Sequence, residues 1–480
     1  MEDDERKLVK NEENETAEYG SATIQSTSEE ETKELNEIYE EIGLGLAQYL
    51  YWTLVGLVSY SDYAELTLLA VILPYLRCEW GLSSTFEAAI TISLFGSYGV
   101  FAMLFGKIAD TYGRKTVIQW STFLLLLAAI GGATSPNKWI FLSTRLVTGA
   151  CVGINLSCIV CYGTEFAENK YRAFGVTVFV ISASAGVLMV SFVAFLVLRI
   201  VGWRWFIIIV SLPAVPALIL ILTLPESPRF LCVSGQQDKA MQAVRFMAKL
   251  NGKQLKENIR MVCYEDEVLG SYSKILSEPH RKSTIALSVI YFNNIFLEFG
   301  FLVFIPLMFI SKSCGASSTP PTHKCQLLSQ RDLLKITVVS VLAIGAKIVA
   351  FASAQHIGRL MPLRVASACL LVASAGLFVC VNHMTTFATV VAVAFTASFI
   401  NTMVWIIIPE SYPTNIRSTG IGFVNGCGKI GGVLGTACVS LLFYTNPHLL
   451  IGLFFLSCLS VFVTSIVYDK ETKDVVLQET

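Results

Sequence analysis

Residues 106–115 read Gly106-Lys107-Ile108-Ala109-Asp110-Thr111-Tyr112-Gly113-Arg114-Lys115, a charged stretch between two long apolar runs. Each run is long enough to cross a bilayer as a helix. The stretch is too short to hold a domain, so the two flanking helices are expected to lie antiparallel as neighbours. Gly106 and Gly113 permit a tight turn and a close approach. Lys107, Arg114 and Lys115 place the turn on the cytoplasmic side, because short loops rich in lysine and arginine stay there. Asp110 sits among them as a partner for cations or for a helix end.

Composition agrees with that reading. Of 480 residues, 54% are hydrophobic and 15% charged, with a mean hydropathy of +0.61. A soluble chain of this size carries about 25% charge, so a polytopic membrane protein is expected. The net charge of −1 is unevenly spread: residues 1–41 are strongly acidic and the remainder is basic. The acidic N-terminus lacks an early apolar core, so no signal peptide is expected. Residues 1–41 read as a largely disordered cytoplasmic tail, with a short amphipathic helix over 34–41. The sequon Asn14-Glu15-Thr16 is expected to stay unused in such a tail. The 13 cysteines fall mostly inside apolar runs, without metal-binding spacing, and read as small buried hydrophobes; no metal site is expected.

Apolar spans are expected near 49–76, 86–105, 116–133, 139–161, 173–198 and up to 224, then near 284–310, 332–353, 362–381, 386–408, 418–441 and 447–467. The domain reading is therefore an acidic tail (1–41), a six-helix bundle (42–224), a cytoplasmic linker (225–283), a second six-helix bundle (284–468) and a cytoplasmic tail (469–480). The linker is basic overall, and a helical spacing at Ala240, Val244, Met247 and Ala248 predicts a surface helix within it. Its basic face is expected to meet lipid headgroups. Nucleic-acid binding, a phosphate-cradling loop and an enzyme nucleophile find no support in the sequence.

The two halves repeat. Gly113-Arg114 recurs as Gly358-Arg359, Glu165 as Glu410, Arg172 as Arg417, Gly175 as Gly420 and Glu226 as Glu471, every pair displaced by 245. Several loops sharing one offset point to an internal duplication, as expected for a transporter whose halves rock about a midplane site. The second copy is degraded, with Gln355 standing where Asp110 stands in the first.

Gly106, Asp110, Gly113, Arg114 and Lys115 match the form G-x-x-x-D-x-x-G-R-[RK], and here the chain resembles the major facilitator superfamily. The resemblance implies an all-α membrane protein with twelve transmembrane helices in two pseudo-symmetric six-helix bundles. Tyr60-Ser61-Asp62-Tyr63-Ala64-Glu65, Cys78-Glu79-Trp80, Gly202-Trp203-Arg204-Trp205, Pro225-Glu226-Ser227 and Ser234-Gly235 narrow it. From about Ile42 onward the chain is similar to the synaptic vesicle 2-related proteins, close to the organic ion transporters. It lacks the long, glycosylated first outer loop typical of the latter.

The candidate site residues are charges in apolar spans, which usually face a bundle interior or a water-filled cavity. Asp62 and Glu65 share a helix face. Two close carboxylates cannot both ionise cheaply, so one is expected to bind and release a proton. Arg145 on the fourth span lies nearer the level of Glu65 and can reach either acid. The resemblance adds that proton-coupled sugar porters pair an acid on the first span with an arginine on the fourth. A permanent structural ion pair is the competing reading. Lys429, near the middle of the eleventh span, either contacts an anionic substrate group or pairs with Glu298 or an acid of the first span. Asn293, Asn294, Glu298, Asn401 and Trp405, with Tyr291 and Lys347, are further cavity candidates; packing and interhelical hydrogen bonding compete for each.

Gly106, Asp110, Gly113, Arg114, Lys115, Glu165, Arg172, Gly358, Arg359, Glu410 and Arg417 form the expected cytoplasmic gate, with Glu165 and Arg172, and Glu410 and Arg417, read as charge pairs that break as the halves rock. Cys314 and Cys325 share an outer loop and form a candidate disulfide; two free thiols are the alternative. The function expected is secondary active transport of a small organic ion by alternating access, with the proton as driving ion and no cofactor. The expected partners are that substrate and the lipid bilayer, the transport unit a monomer, and the location a vesicle or plasma membrane. The alternative is a vesicle membrane protein for binding or trafficking that keeps the fold but little transport.

Overall fold

Apolar runs that must cross lipid have no water to satisfy their backbone, so they close their hydrogen bonds within themselves as helices. A computed structural model describes residues 31–166, 171–256, 259–262, 275–278, 280–311, 327–378, 383–412 and 416–471. In chain order these form β1 (Glu31–Glu34), α1 (Leu35–Ile42), α2 (Leu46–Trp80), α3 (Ser84–Tyr112), α4 (Arg114–Ala133), α5 (Lys138–Glu165), α6 (Arg172–Ser211) and α7 (Ala214–Thr223). There follow α8 (Pro228–Val233), α9 (Gln237–Leu250), β2 (Ile259–Val262), α10 (Arg281–Ser311), α11 (Gln330–His356), α12 (Leu360–Ala375), α13 (His383–Glu410), α14 (Arg417–Leu442) and α15 (Pro447–Val467).

The helix α6 breaks at Gly202, whose φ of 76° reverses the chain. Its first part is the fifth crossing, and its second part with α7 the sixth. Together with α2 to α5 they form the first bundle; α10 to α15 form the second. Among the described residues ten helices have the length and hydropathy of a span, and with Phe174–Thr223 divided at Gly202 and α14 added they agree with the twelve crossings expected. α14 packs against α3, and α11 against α6, across the two halves.

Glycines set the closest helix contacts. A Cβ at Gly186 of α6 would overlap the Tyr60 carbonyl oxygen of α2, and one at Gly431 of α14 would overlap that of Phe292 in α10. These two glycines share the 245-residue offset, so the duplication recurs in the packing as well as in the loops. Gly149 and Gly153 of α5 likewise admit the backbone of α3 at Leu94 and Tyr98.

The loop repeat has a local structural cause. Gly113 and Gly358 hold φ at 95° and 117° and start α4 and α12. Glu226 accepts from the backbone N–H of Lys115 at 2.9 and 3.1 Å. Glu471 accepts from those of Arg359 and Leu360 at 3.0 and 3.1 Å. Each carboxylate caps the otherwise unsatisfied N–H groups of a helix start and meets its positive dipole end. Glu226→Ala is expected to cost about 1–2 kcal/mol. Glu471→Ala should cost less, because its bonds are solvent-exposed. Melting midpoints in detergent check the order; equal midpoints for both variants and wild type would reject the capping role.

The tail departs from expectation in part. The amphipathic helix expected over 34–41 is present as α1, while regular structure starts earlier, at Glu31, where β1 pairs in parallel with β2. Ile38, Tyr39 and Ile42 give α1 its apolar face, and all three are buried. That face meets the apolar face of α9, including Ala240, Val244 and Ala248, in a small core beside the bundles. The linker helix thus buries its apolar side on protein. Asn251 ties the unit to the first crossing by accepting from the Ala47 N–H at 2.9 Å and donating to the Gly43 carbonyl at 3.1 Å.

Candidate functional site

The first half places two carboxylates one turn apart on α2, both buried, with different partners. Glu65 accepts from Arg145 Nη1 of α5 at 3.2 Å and from the Ser211 hydroxyl of α6. The Arg145 guanidinium is fully buried and lies 5.0 Å from the Phe141 ring centroid. Asp62 does not pair with Arg145. Its Oδ1 accepts from Asn155 Nδ2 at 3.1 Å, and Asn155 in turn accepts from the Ser121 hydroxyl of α4. Asp62 Oδ2 has no hydrogen-bond partner among the described residues. Arg145 stands ten residues before Asn155 on α5, and the two side chains meet different acids of α2.

The second half repeats the motif of a carboxylate held by a carboxamide. Glu298 of α10 accepts from Asn401 of α13, as Asp62 of α2 accepts from Asn155 of α5. Lys347 Nζ of α11 lies 3.9 Å from Glu298 Oε1, so Lys347 rather than Lys429 is its ion partner. Lys429 reaches across the halves instead. It is 7% exposed, donates to the Ser157 hydroxyl of α5 at 3.3 Å and lies 5.5 Å from the Tyr98 ring centroid. No carboxylate lies within ion-pair distance of it among the described residues.

Aromatic rings line the space between these groups. Phe299 of the second half lies 5.5–6.4 Å from Phe95, Tyr98 and Tyr63 of the first. Trp405 is half-buried, 6.0 Å from Tyr291 and 6.2 Å from Phe179. Asn294 is buried, and its carboxamide has no hydrogen-bond partner among the described residues. Asn293 is a correction: it donates to Val289 O and to Ser460 Oγ of α15, so it faces a neighbouring helix and not the space between the halves.

On the face that carries the linker, two charge pairs lie among the described residues. Glu165 pairs with Arg114, and Glu410 takes both Nε and Nη2 of Arg359 at 3.0 and 2.7 Å. The arginine after each positive-φ glycine takes the acid, because it opens the helix beside that acid's own helix end. Each pair stays within one half. The side chains of Asp110, Arg172 and Arg417, and the surroundings of Gly106, lie outside the described residues, as do Cys314 and Cys325. Cys78 is disulfide-bonded.

The opposite face carries a group that the sequence reading missed. Arg77, in the last turn of α2, binds Glu87 in the first turn of α3 with both arms of its guanidinium. Its third nitrogen donates to the Tyr444 hydroxyl of the second half at 2.8 Å. Arg199 of α6 donates to the Leu328 carbonyl before α11 at 3.0 Å. Among the described residues, these two hydrogen bonds join the halves at this face. A basic residue ending one span and an acid opening the next were the available signal.

The sequence profile described as "Sugar (and other) transporter" matches residues 59–480. The synaptic vesicle 2-related protein of Rattus norvegicus is 26% identical over 459 residues, which cover 94% of this chain and 83% of that one. Its namesake from Xenopus laevis is 26% identical over 460 residues, with the same two coverages. The partially occluded, inward-open structure of the xylose transporter XylE from E. coli superposes with a TM-score of 0.68 at 15% identity, over 90% of this chain and 99% of that one. The chain belongs to the sugar (and other) transporter family within the major facilitator fold, and it is a multi-pass membrane transporter rather than an enzyme.

Proposed function

We propose that this chain is a secondary active transporter that moves a small organic ion by alternating access and is driven by protons carried on Asp62. One observation carries the reading: of the two buried acids of α2, Glu65 has an arginine and a hydroxyl, whereas Asp62 has a neutral carboxamide on one oxygen and no partner on the other. An ionised carboxylate without a countercharge is costly in a protein interior. The protonated acid keeps the Asn155 bond and avoids that cost. Loading and release of the proton then follow whichever face admits water. Glu65 with Arg145 is the permanent pair that holds α2 against α5.

Glu298, Asn401, Lys347, Trp405 and Lys429 line the substrate path, and the loop charges around Arg114 and Arg359 brace the helix ends on the linker face, which is cytoplasmic together with both termini. The protein works as a monomer in a vesicle or plasma membrane; the similarity to synaptic vesicle 2-related proteins supports the vesicle. Uptake of labelled organic anions, cations and sugars into proteoliposomes, with a proton gradient imposed and then collapsed, tests the reading. Asp62→Asn is expected to lower gradient-driven accumulation by about a hundredfold or more, in the range typical for loss of an acid–base group. A folded wild-type protein that accumulates nothing would favour a binding or trafficking role.

A further inference from the structure

Among the described residues, Lys429 is the cation buried within and between the bundles that has no carboxylate partner. Arg145 is balanced by Glu65, Lys347 by Glu298 and Arg77 by Glu87. Lys429 has a hydroxyl and the face of a phenol. The other titratable groups near it are Cys158 and Cys161 of α5, and Tyr291 of α10, which packs on its neighbour Gly428. Those facing Asp62 are Glu65 and Tyr63 of its own helix, Tyr98 of α3, and Cys151 of α5; Arg145 also lies on α5 but is taken by Glu65. Phenols and thiols are neutral near pH 7. Among the described residues, Asp62 is thus the buried acid, and Lys429 the buried base, whose charge the surrounding side chains leave uncompensated. The two are linked through α5, where Asn155 holds the acid and Ser157, two residues on, holds the base. Tyr98 faces both.

We propose that Asp62 and Lys429 form a charge-balanced couple that makes transport a one-to-one, electroneutral symport of an organic monoanion with a proton. This rests on the reading of Asp62 as the proton carrier. With no substrate bound, ionised Asp62 and protonated Lys429 cancel, and the halves can close around them. With substrate bound, its anionic group neutralises Lys429, and a proton on Asp62 Oδ2 removes the remaining negative charge. The two mixed states each leave one net charge in the closed interior: the anion without the proton is negative, and the proton without the anion is positive. Burying such a charge is penalised, so the mixed states do not cross. No bond other than the O–H of Asp62 forms or breaks, and the anion leaves by the face at which the proton leaves.

The test uses the full-length protein in lipid nanodiscs. The fraction of molecules open at the Arg77–Tyr444 face is read from hydrogen exchange of residues 77–87, corrected for intrinsic rates, between pH 5 and 8. In substrate-free wild type, the ratio of closed to open forms should change by up to about tenfold per pH unit, the signature of one linked proton. Asp62→Asn should abolish that dependence and hold the protein in one state. Lys429→Gln should reverse the direction of the pH dependence, because the empty state then balances only when Asp62 is protonated, whereas in wild type it balances only when Asp62 is ionised. The double variant D62N/K429Q should exchange freely between states with no pH dependence. A K429Q profile that overlays wild type overturns the couple and leaves Asp62 as proton carrier. A D62N profile that overlays wild type overturns the proton carrier as well. As a second readout, titration calorimetry with benzenesulfonate in buffers of different ionisation enthalpy should show one proton taken up per anion bound. Binding without proton uptake would also overturn the couple, and benzylammonium should not bind with proton uptake.

Discussion

Glu65→Gln should destabilise the protein more than any other single polar substitution in the first half. Arg145 is fully buried, its carboxylate partner is Glu65 at 3.2 Å, and its Nε and Nη2 already lack hydrogen-bond partners. Removing the carboxylate strands a positive charge that can neither reach water nor find another acid, since Asp62 is held by Asn155. Breaking a buried pair from one side costs about 3–5 kcal/mol, a large fraction of the roughly 5–15 kcal/mol that holds a domain folded. The variant should elute as aggregate and show a melting midpoint far below wild type. Glu65→Gln combined with Arg145→Met should recover much of the loss, because the double change removes both charges and restores apolar packing. A single variant that melts like wild type, or a double variant no better than the single one, would show that the pair does not hold α2 to α5. The same comparison separates the two acids of α2: Asp62→Asn keeps a hydrogen-bonding group of the same shape beside Asn155 and should change coupling far more than melting.

The second large effect is steric. Gly149→Leu and Gly431→Leu should each prevent the close approach of a helix pair. An added Cβ at position 149 would overlap the Leu94 carbonyl oxygen and the Ser97 hydroxyl; at position 431 it would overlap the Phe292 carbonyl oxygen. The obstructing atoms are mostly backbone, which cannot rotate away as a side-chain tip does. Overpacking by a few methylenes costs about 1–3 kcal/mol even where side chains can adjust, and a rigid backbone leaves separation of the helices as the only relief. A loss above about 3 kcal/mol is therefore expected for leucine, and a smaller one for alanine. Gly345 of α11 supplies the control, since a Cβ there meets nothing within 4 Å. Gly345→Ala should be neutral or stabilise by up to about 1 kcal/mol through helix propensity. Comparable melting of the 149, 431 and 345 variants would mean that the close contacts do not set the packing.

Part of the site was legible in advance because burying a charge in lipid is costly wherever the helix faces. Asp62, Glu65, Arg145, Glu298 and Lys429 stand out in apolar spans by composition alone, and each is at least partly buried between helices. Their partners were not legible. Arg145 stands ten residues before Asn155 on α5, and which of them meets Asp62 depends on helix tilt and on the length of the arginine side chain. Asn293 and Asn294 are adjacent in sequence, yet the first turns to α15 while the second is buried with no partner among the described residues, a difference of one helical step of rotation. The Arg77–Glu87–Tyr444 group went unread because its charges end and begin spans, where charges are ordinary, and its third member lies 367 residues from the first. The helix over 34–41 was legible from its amphipathic spacing, but its docking was not: nothing in three apolar side chains among many acids names α9 as the surface that covers them.

Taken alone, the sequence determined the class, the count of crossings and the duplication. These follow from the hydropathy of runs long enough to span a bilayer and from loop residues repeated at one offset, both of which are properties of position along the chain. Tertiary structure alone decided which acid takes the arginine, which lysine is left without a carboxylate, and which face is latched across the halves. Those outcomes depend on rotations and translations of a few ångströms between helices. Charges buried between helices discriminate at that scale because attraction and desolvation both change steeply over the length of one hydrogen bond.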